Sequence, residues 1–302
     1  MGIITLDSVT KRFGDFIAVD NISLSLEPLT INGFLGPNGA GKTTTIRMMS
    51  GLLKPSSGSI ILDNIDVCKN PEMARGRIGY MSQNFSLYAD LNAEENILFF
   101  ADLFNMKGKD KRERFQEVVE ALNLKNYLKV LTGDLPLGIK QRIALASATI
   151  HKPSILFLDE PTSGVDPISR REFFYYIMNF IKRYKATVVL STHFLNEAEY
   201  CNMIFFFNKG KIILDGRPAD ILNNFEYNIF EIARFKESEK LLNILKDDIS
   251  VVESYIYGKK IRIIAKKEVK REHIAALLNI GENHINITKP SLDDVFIRST
   301  NV

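Results

Sequence analysis

Between residues 21 and 27 apolar and polar positions alternate, with Ile22, Leu24 and Leu26 on one face, the pattern of a half-buried strand. Ile31 to Leu35 is a short apolar run that reads as a buried strand, and the helix expected after it runs from Lys42 towards Met49. Ile60-Ile61-Leu62-Asp63 predicts another strand, punctuated by Gly58 and by Asn64-Ile65-Asp66. From about Asn84 to Ile150 the period becomes helical. Asn92 can cap a helix, with Glu95 three residues on completing a capping box, and Phe115, Val118, Val119 and Leu122 form an apolar stripe. This stretch predicts a helical subdomain inserted between strand-rich segments. Two continuous apolar runs follow, Ile155–Leu158 leading into Asp159-Glu160, and Thr187–Leu190 leading into Ser191-Thr192-His193. Such runs suit strands covered on both faces in a parallel sheet, and their polar carboxyl ends lie where α/β sheets place ligands.

After about Phe225 the pattern changes. Strands at 228–234, 251–257, 260–265 and 285–288 and helices at 237–247 and 270–278 give the order β-α-β-β-α-β, a ferredoxin-like arrangement. The expected organisation is a domain over residues 1–224, with its helical subdomain at about 84–150, and a small C-terminal α+β domain over 225–302.

Composition narrows the field. The 302 residues are 45% hydrophobic and 25% charged with a net charge of +3, as in an ordinary globular protein. No basic tail or domain suggests nucleic acid as a partner. The basic run Lys107–Arg114 has acids interspersed and reads as a solvated surface turn. Cys68 and Cys201 are too few for a disulfide framework or metal cluster, which fits a reducing cytosol. The N-terminus does not read as a signal peptide. The greasiest stretches, Ile97–Phe104 and Met203–Phe207, are far short of the ~20 residues that cross a bilayer. If the protein works at a membrane, another chain supplies the span.

Gly36-Pro37-Asn38-Gly39-Ala40-Gly41-Lys42-Thr43 fits the phosphate-binding pattern G-x-x-x-x-G-K-[ST], and Thr44 follows it. Glycines let the backbone wrap around phosphate oxygens and aim N–H groups inward. Lys42 can reach the β- and γ-phosphates of a nucleoside triphosphate, and the Thr43 hydroxyl can hold Mg²⁺. The helix after the loop points its positive end at the anion. Asp159, 117 residues after Lys42, can complete the Mg²⁺ shell, and Glu160 beside it can accept a proton from an attacking water.

With these residues in place, the chain resembles the ATP-binding subunit of ABC transporters, of the ABC-2 exporter or multidrug and antibiotic-resistance type. The resemblance covers residues 3 to about 220 and returns at Pro290-Ser291-Leu292-Asp293-Asp294-Val295-Phe296. It implies that Phe13 stacks on adenine, where the family usually has Tyr. Gln83, in Gly79-Tyr80-Met81-Ser82-Gln83, matches the glutamine that helps order Mg²⁺ and water and links the site to the helical subdomain. Ser163-Gly164-Val165-Asp166 matches the loop at the dimer seam, and His193 matches the histidine that contacts the γ-phosphate.

One motif departs. Where the family usually carries Leu-Ser-Gly-Gly-Gln, this chain has Leu135-Pro136-Leu137-Gly138-Ile139-Lys140-Gln141-Arg142. In the family this loop reaches the partner's γ-phosphate across a head-to-tail dimer. Pro136 brings neither hydroxyl nor backbone N–H, which leaves the Gly138 and Ile139 amides and a helix N-terminus for the contact.

The resemblance implies an α/β P-loop NTPase core that hydrolyses ATP with Mg²⁺. Expected partners are a second ATPase subunit, commonly an identical copy, and integral-membrane permease chains at the cytoplasmic face. Two other readings stay open: a non-transport ABC ATPase acting on ribosomes or DNA, and a weakly hydrolysing regulatory subunit motivated by Pro136 and Leu137.

Overall fold

The computed structural model describes residues 2–233 and 238–300. Strands β1 (Ile4–Phe13) and β2 (Phe16–Leu26) form an antiparallel hairpin. Strand β3 (Ile31–Leu35) then leaves to start a second sheet, and α1 (Lys42–Met49) follows the phosphate loop. Strands β4 (Ser57–Leu62) and β5 (Ile65–Asp66) return to the first sheet, whose order is β2-β1-β4-β5. The predicted alternation holds: Ile22, Leu24 and Leu26 are buried, and Asn21, Ser23 and Ser25 between them are exposed.

Helix α2 (Pro71–Arg75) and strand β6 (Ile78–Met81) lead to the helical region. It holds α3 (Ala93–Leu103), α4 (Gly108–Ala121) and α5 (Leu137–Thr149). The capping box forms, with the Glu95 amide donating to Asn92 Oδ1 at 2.9 Å and the Asn92 amide donating to Glu95 Oε2 at 2.8 Å. The basic run at 107–114 is exposed at Lys107, Lys109, Asp110, Arg112 and Glu113, as expected of a solvated surface, but it begins α4 rather than forming a turn, and Arg114 is buried. Its guanidinium donates to the carbonyls of Thr149 and Ile150 and to the Tyr184 hydroxyl, and pairs with Glu117 at 2.9 Å.

Strand β7 (Ile155–Asp159), helix α6 (Pro167–Tyr184), strand β8 (Thr187–Thr192), and strands β9 (Met203–Asn208) and β10 (Lys211–Gly216) complete the second sheet, in the order β10-β9-β3-β8-β7-β6. Strands β9, β3, β8, β7 and β6 run parallel. Every residue of β3, β7 and β8 is buried, as their continuous apolar runs require. Phe34, Phe157 and Val189 of this sheet share a core with Ile4, Leu6, Val9 and Ile22 of the first.

The chain divides into two units, Met1–Asp215 and Gly216–Val302. The division falls before helix α7 (Pro218–Asn223), because α7 packs on the C-terminal helix; the sequence pattern had suggested 224/225. In the second unit β11 (Tyr227–Ala233), α8 (Ser238–Asp247), β12 (Val251–Tyr257), β13 (Lys260–Lys266), α9 (Arg271–Leu278) and β14 (Ile285–Thr288) follow in turn, and α10 (Leu292–Thr300) closes it. The end of the predicted strand 228–234 and the start of the predicted helix 237–247 lie outside the described residues. The sheet is antiparallel throughout, in the order β12-β13-β11-β14. Phe230, Ile232, Leu245, Ile261, Ile263 and Ile274 form its core.

Candidate active site

The turn between β3 and α1 can exist only with glycine at two points. Gly36 has φ 144°, and a Cβ there would lie 2.2 Å from the Phe207 carbonyl oxygen. Gly41 has φ 105°, and its Cβ would lie 2.7 Å from the Ala18 oxygen. The loop is thus a cradle of bare backbone, open to a ligand that needs close approach. No side chain caps α1, so its first amides remain available to an anion.

Lys42 is buried and folds back on the loop, donating to the carbonyls of Gly36 at 2.8 Å and Pro37 at 2.9 Å. Its ammonium stands 4.0 Å from Glu160 Oε1. Burial pushes its pKa down, against the pull of Glu160 and Asp159. A buried ammonium held by neutral carbonyls is ready for a stronger anionic partner.

Asp159 ends β7 beneath the loop. Its Oδ1 accepts from Thr43 Oγ1 at 2.7 Å and from Ser191 Oγ at 2.6 Å. Ser191 was not singled out from sequence as a site residue. It lies directly across from Asp159 in the β7–β8 register, so strand pairing was the signal that could have found it.

Glu160 turns off the strand with φ 47°, a left-handed conformation costly for a residue with a Cβ. Its amide donates to the Ser191 carbonyl at 3.1 Å and hydroxyl at 3.0 Å, which holds the turn. The carboxylate is nearly buried, and Gln83 Nε2 donates to its Oε2 at 3.2 Å. His193 Nδ1 lies 3.3 Å from the same oxygen but is not aligned for a hydrogen bond. Gln83, Glu160 and His193 therefore meet at one point although they come from three segments.

A cleft of about 460 Å³ opens above these groups. Asn38 to Thr44, Gln83 and Glu160 line it, with Phe13, Phe16 and Ala18 along one wall. Phe13 is half exposed, more available than a core phenylalanine. Phe16 and Ala18 were missed from sequence, since a hairpin places them beside Phe13 and no motif marks them.

Gly36, Pro37, Asp159 and His193 stand behind the lining, in contact with Lys42, Thr43 or Glu160, whereas Asp166 and Gly138 stand apart from this cleft. Asp166 caps α6, its Oδ1 accepting from the Ile168 and Ser169 amides at 3.0 Å, and those bonds hold its pKa down. Gly138 sits in the first turn of α5, where a Cβ would lie 3.4 Å from Ser169 Oγ. The amide of Ile139 is already used, donating to the Pro136 carbonyl at 3.0 Å, which leaves less of this helix start open than the sequence suggested. Gln141, two residues past the altered motif's last position at Ile139, is buried and donates to the Pro161 carbonyl at 2.9 Å, next to Glu160.

A glycine cradle on a helix N-terminus, a buried lysine, and an Asp–Thr pair at the end of a parallel strand define a P-loop nucleotide-binding protein. The family model described as ABC transporter matches residues 19–163. The probable multidrug ABC transporter ATP-binding protein YbhF of Escherichia coli K12 is 45% identical over 219 residues, 72% of this chain. That match spans only 38% of YbhF's own length. The bacitracin transport ATP-binding protein BcrA of Bacillus licheniformis is 33% identical over 302 residues, covering 98% of this chain and 96% of BcrA. A dimeric post-hydrolysis state of the ATP-binding cassette MJ0796, bound to ADP and Pi, superposes with TM-score 0.65 at 26% identity, over 71% of this chain and 98% of that one. The chain belongs to the ABC transporter ATP-binding proteins.

Proposed function

We propose that this chain binds and hydrolyses Mg²⁺-ATP as the ATP-binding subunit of an exporter, working as a head-to-tail dimer on separate membrane subunits at the cytoplasmic face. The observation that carries the reading is Glu160, which stands within reach of Lys42, Gln83 and His193 at one end of the cleft. Among the described residues no helix is long and apolar enough to cross a membrane.

The roles follow from position. Phe13 offers a π-face to adenine. The loop amides and Lys42 bind the phosphates, and Lys42 exchanges its carbonyl partners for phosphate oxygens. Thr43 and Asp159, with Gln83, would hold Mg²⁺, which offsets the phosphate charge. Glu160 takes the proton of the attacking water, and His193 contacts the γ-phosphate. Asp166 and Gly138 act at the partner's site, across the dimer seam.

The test is Mg²⁺-dependent ATP hydrolysis by the purified chain, together with identification of the membrane protein that co-purifies with it. ATP binding lost in Lys42→Ala and turnover lost without Mg²⁺ are the expected results; a chain that binds no nucleotide overturns the reading. A second reading rests on Pro136 and Leu137 at the head of α5: a regulatory subunit that binds ATP without turnover even beside its membrane partners.

A further inference from the structure

Behind the carboxyl end of β8 lies a buried carboxylate paired with a partly buried arginine, which these roles do not use. Glu197, in the 3₁₀ turn Leu195–Tyr200, is fully buried. Its Oε1 accepts a hydrogen bond from the Thr162 hydroxyl and lies 3.4 Å from Arg170 Nε. Arg170, on α6, sets its guanidinium 4.9 Å from the centre of the Phe194 ring and reaches the Val165 carbonyl at 3.5 Å. Burial pushes the Glu197 carboxyl up, against the pull of Thr162, Thr192, Arg170 and His193.

The placement of these contacts gives them meaning. Thr162 is two residues past Glu160, and Phe194 adjoins His193. Glu160 and His193 follow different strands, and no aligned hydrogen bond joins them. The Glu160 amide's bonds to Ser191 join the strand ends, but they do not reach the segments beyond, 162–166 and 194–197. An ion pair with a buried carboxylate adds little net stability over apolar packing, so its presence here is better explained by what it orients.

We propose that Glu197 and Arg170 are positioning residues, a clamp that ties the turn carrying Glu160 to the turn carrying His193. The clamp rests on the roles given above for Glu160 and His193, but its existence can be read without nucleotide.

Hydrogen exchange on the nucleotide-free protein is the direct measurement. Thr162→Val removes one donor at nearly constant shape, and Arg170→Met removes the guanidinium at nearly constant length. Each should speed amide exchange in both 160–166 and 193–198 by about fivefold or more, while β7 and β8 stay protected. Glu197→Gln keeps an acceptor for Thr162 and should change exchange less. In ATPase assays the first two variants should lower kcat by about ten- to a hundredfold with KM for ATP unchanged, and Glu197→Gln should retain more turnover than either. Exchange that rises in only one of the two segments, or in neither, overturns the clamp, as does kcat within twofold of wild type. A wild-type chain without turnover would defeat the functional reading alone, since the exchange data still decide the clamp.

Discussion

Thr43 Oγ1 donates to Asp159 Oδ1 at 2.7 Å, which joins the first turn of α1 to the end of β7. Ser191 donates to the same oxygen. Two hydroxyls thus hold the carboxylate proposed above as a Mg²⁺ ligand. Asp159→Asn keeps the shape and removes the charge. Turnover should fall about a hundredfold, and the Mg²⁺ concentration for half-maximal activity should rise. A magnesium titration of ATPase activity checks this, and an unchanged midpoint rules out Asp159 as a ligand.

Glu160 is held by its backbone as much as by its side chain, so Glu160→Gln should preserve the turn. The amide cannot take a proton from water. Hydrolysis should drop by about a hundred- to ten-thousandfold while ATP affinity stays within a few-fold. If the dimer closes on ATP and opens after hydrolysis, this variant should accumulate a dimer on adding Mg²⁺-ATP, seen by light scattering. Wild-type turnover in Glu160→Gln would remove the general-base role.

Pro136 caps α5 without a side-chain hydrogen bond. Serine is a favoured residue at this position, and its hydroxyl is the group the family pattern usually carries. Pro136→Ser should leave thermal stability equal or slightly higher. If the site works across a dimer, it should raise kcat, by up to about tenfold for one hydrogen bond to a charged phosphate. A chain that binds ATP but turns over in neither form fits the regulatory reading instead.

His151 stacks on Phe104 with ring centroids 3.4 Å apart, and its Nε2 lies 3.0 Å from the Ile78 carbonyl oxygen. Burial lowers its pKa from 6.5 to about 4. The folded state therefore holds the ring neutral, while the unfolded chain takes a proton below 6.5. Stability from this residue is present above that value and is lost as pH falls towards about 4. The full loss is about 3 kcal/mol. His151→Phe keeps the stack and cannot titrate, so urea midpoints for the two proteins should separate with acidification, the wild type losing more. Parallel pH profiles would show that His151 is not buried neutral.

Much of the site was legible because its signals are local. The spacing from Gly36 to Thr43 and the apolar runs that end in Asp159-Glu160 and His193 are each written in a few consecutive residues. What escaped depends on pairing between distant segments. Ser191 reaches Asp159 only because β8 lies beside β7. Glu197 meets Thr162 and Arg170 through the fold, and nothing in their spacing announces it. Arg114 was misread because its charge pattern looks solvated, and only packing of α4 against α5 and α6 buries it. Asp166 matched a motif, yet within its own chain its carboxylate is committed to capping α6.

The closing segment Pro290–Phe296 was recognisable without a reason for its residues, and Asp294 supplies one. The side chain is fully buried. It accepts from the Ser291 amide at 2.7 Å, the Ser291 hydroxyl at 2.8 Å and the Tyr255 hydroxyl at 2.7 Å, and lies 2.9 Å from Arg262 Nε. One carboxylate thus starts α10 and fastens it to β12 and β13. Removing it leaves Arg262 nearly buried with Glu231 as its remaining carboxylate partner, at 3.3 Å. Loss of one member of such a network costs about 3–5 kcal/mol. Asp294→Ala should therefore destabilise the C-terminal unit by about that amount. Asp294→Asn, which can still accept from Ser291 and Tyr255, should lose roughly half of it. Hydrogen exchange across 251–266 and 285–300 localises the effect, with β3, β7 and β8 unchanged. A loss below about 1 kcal/mol in the alanine variant would mean that water replaces the carboxylate at little cost, and that α10 is held by its apolar face instead.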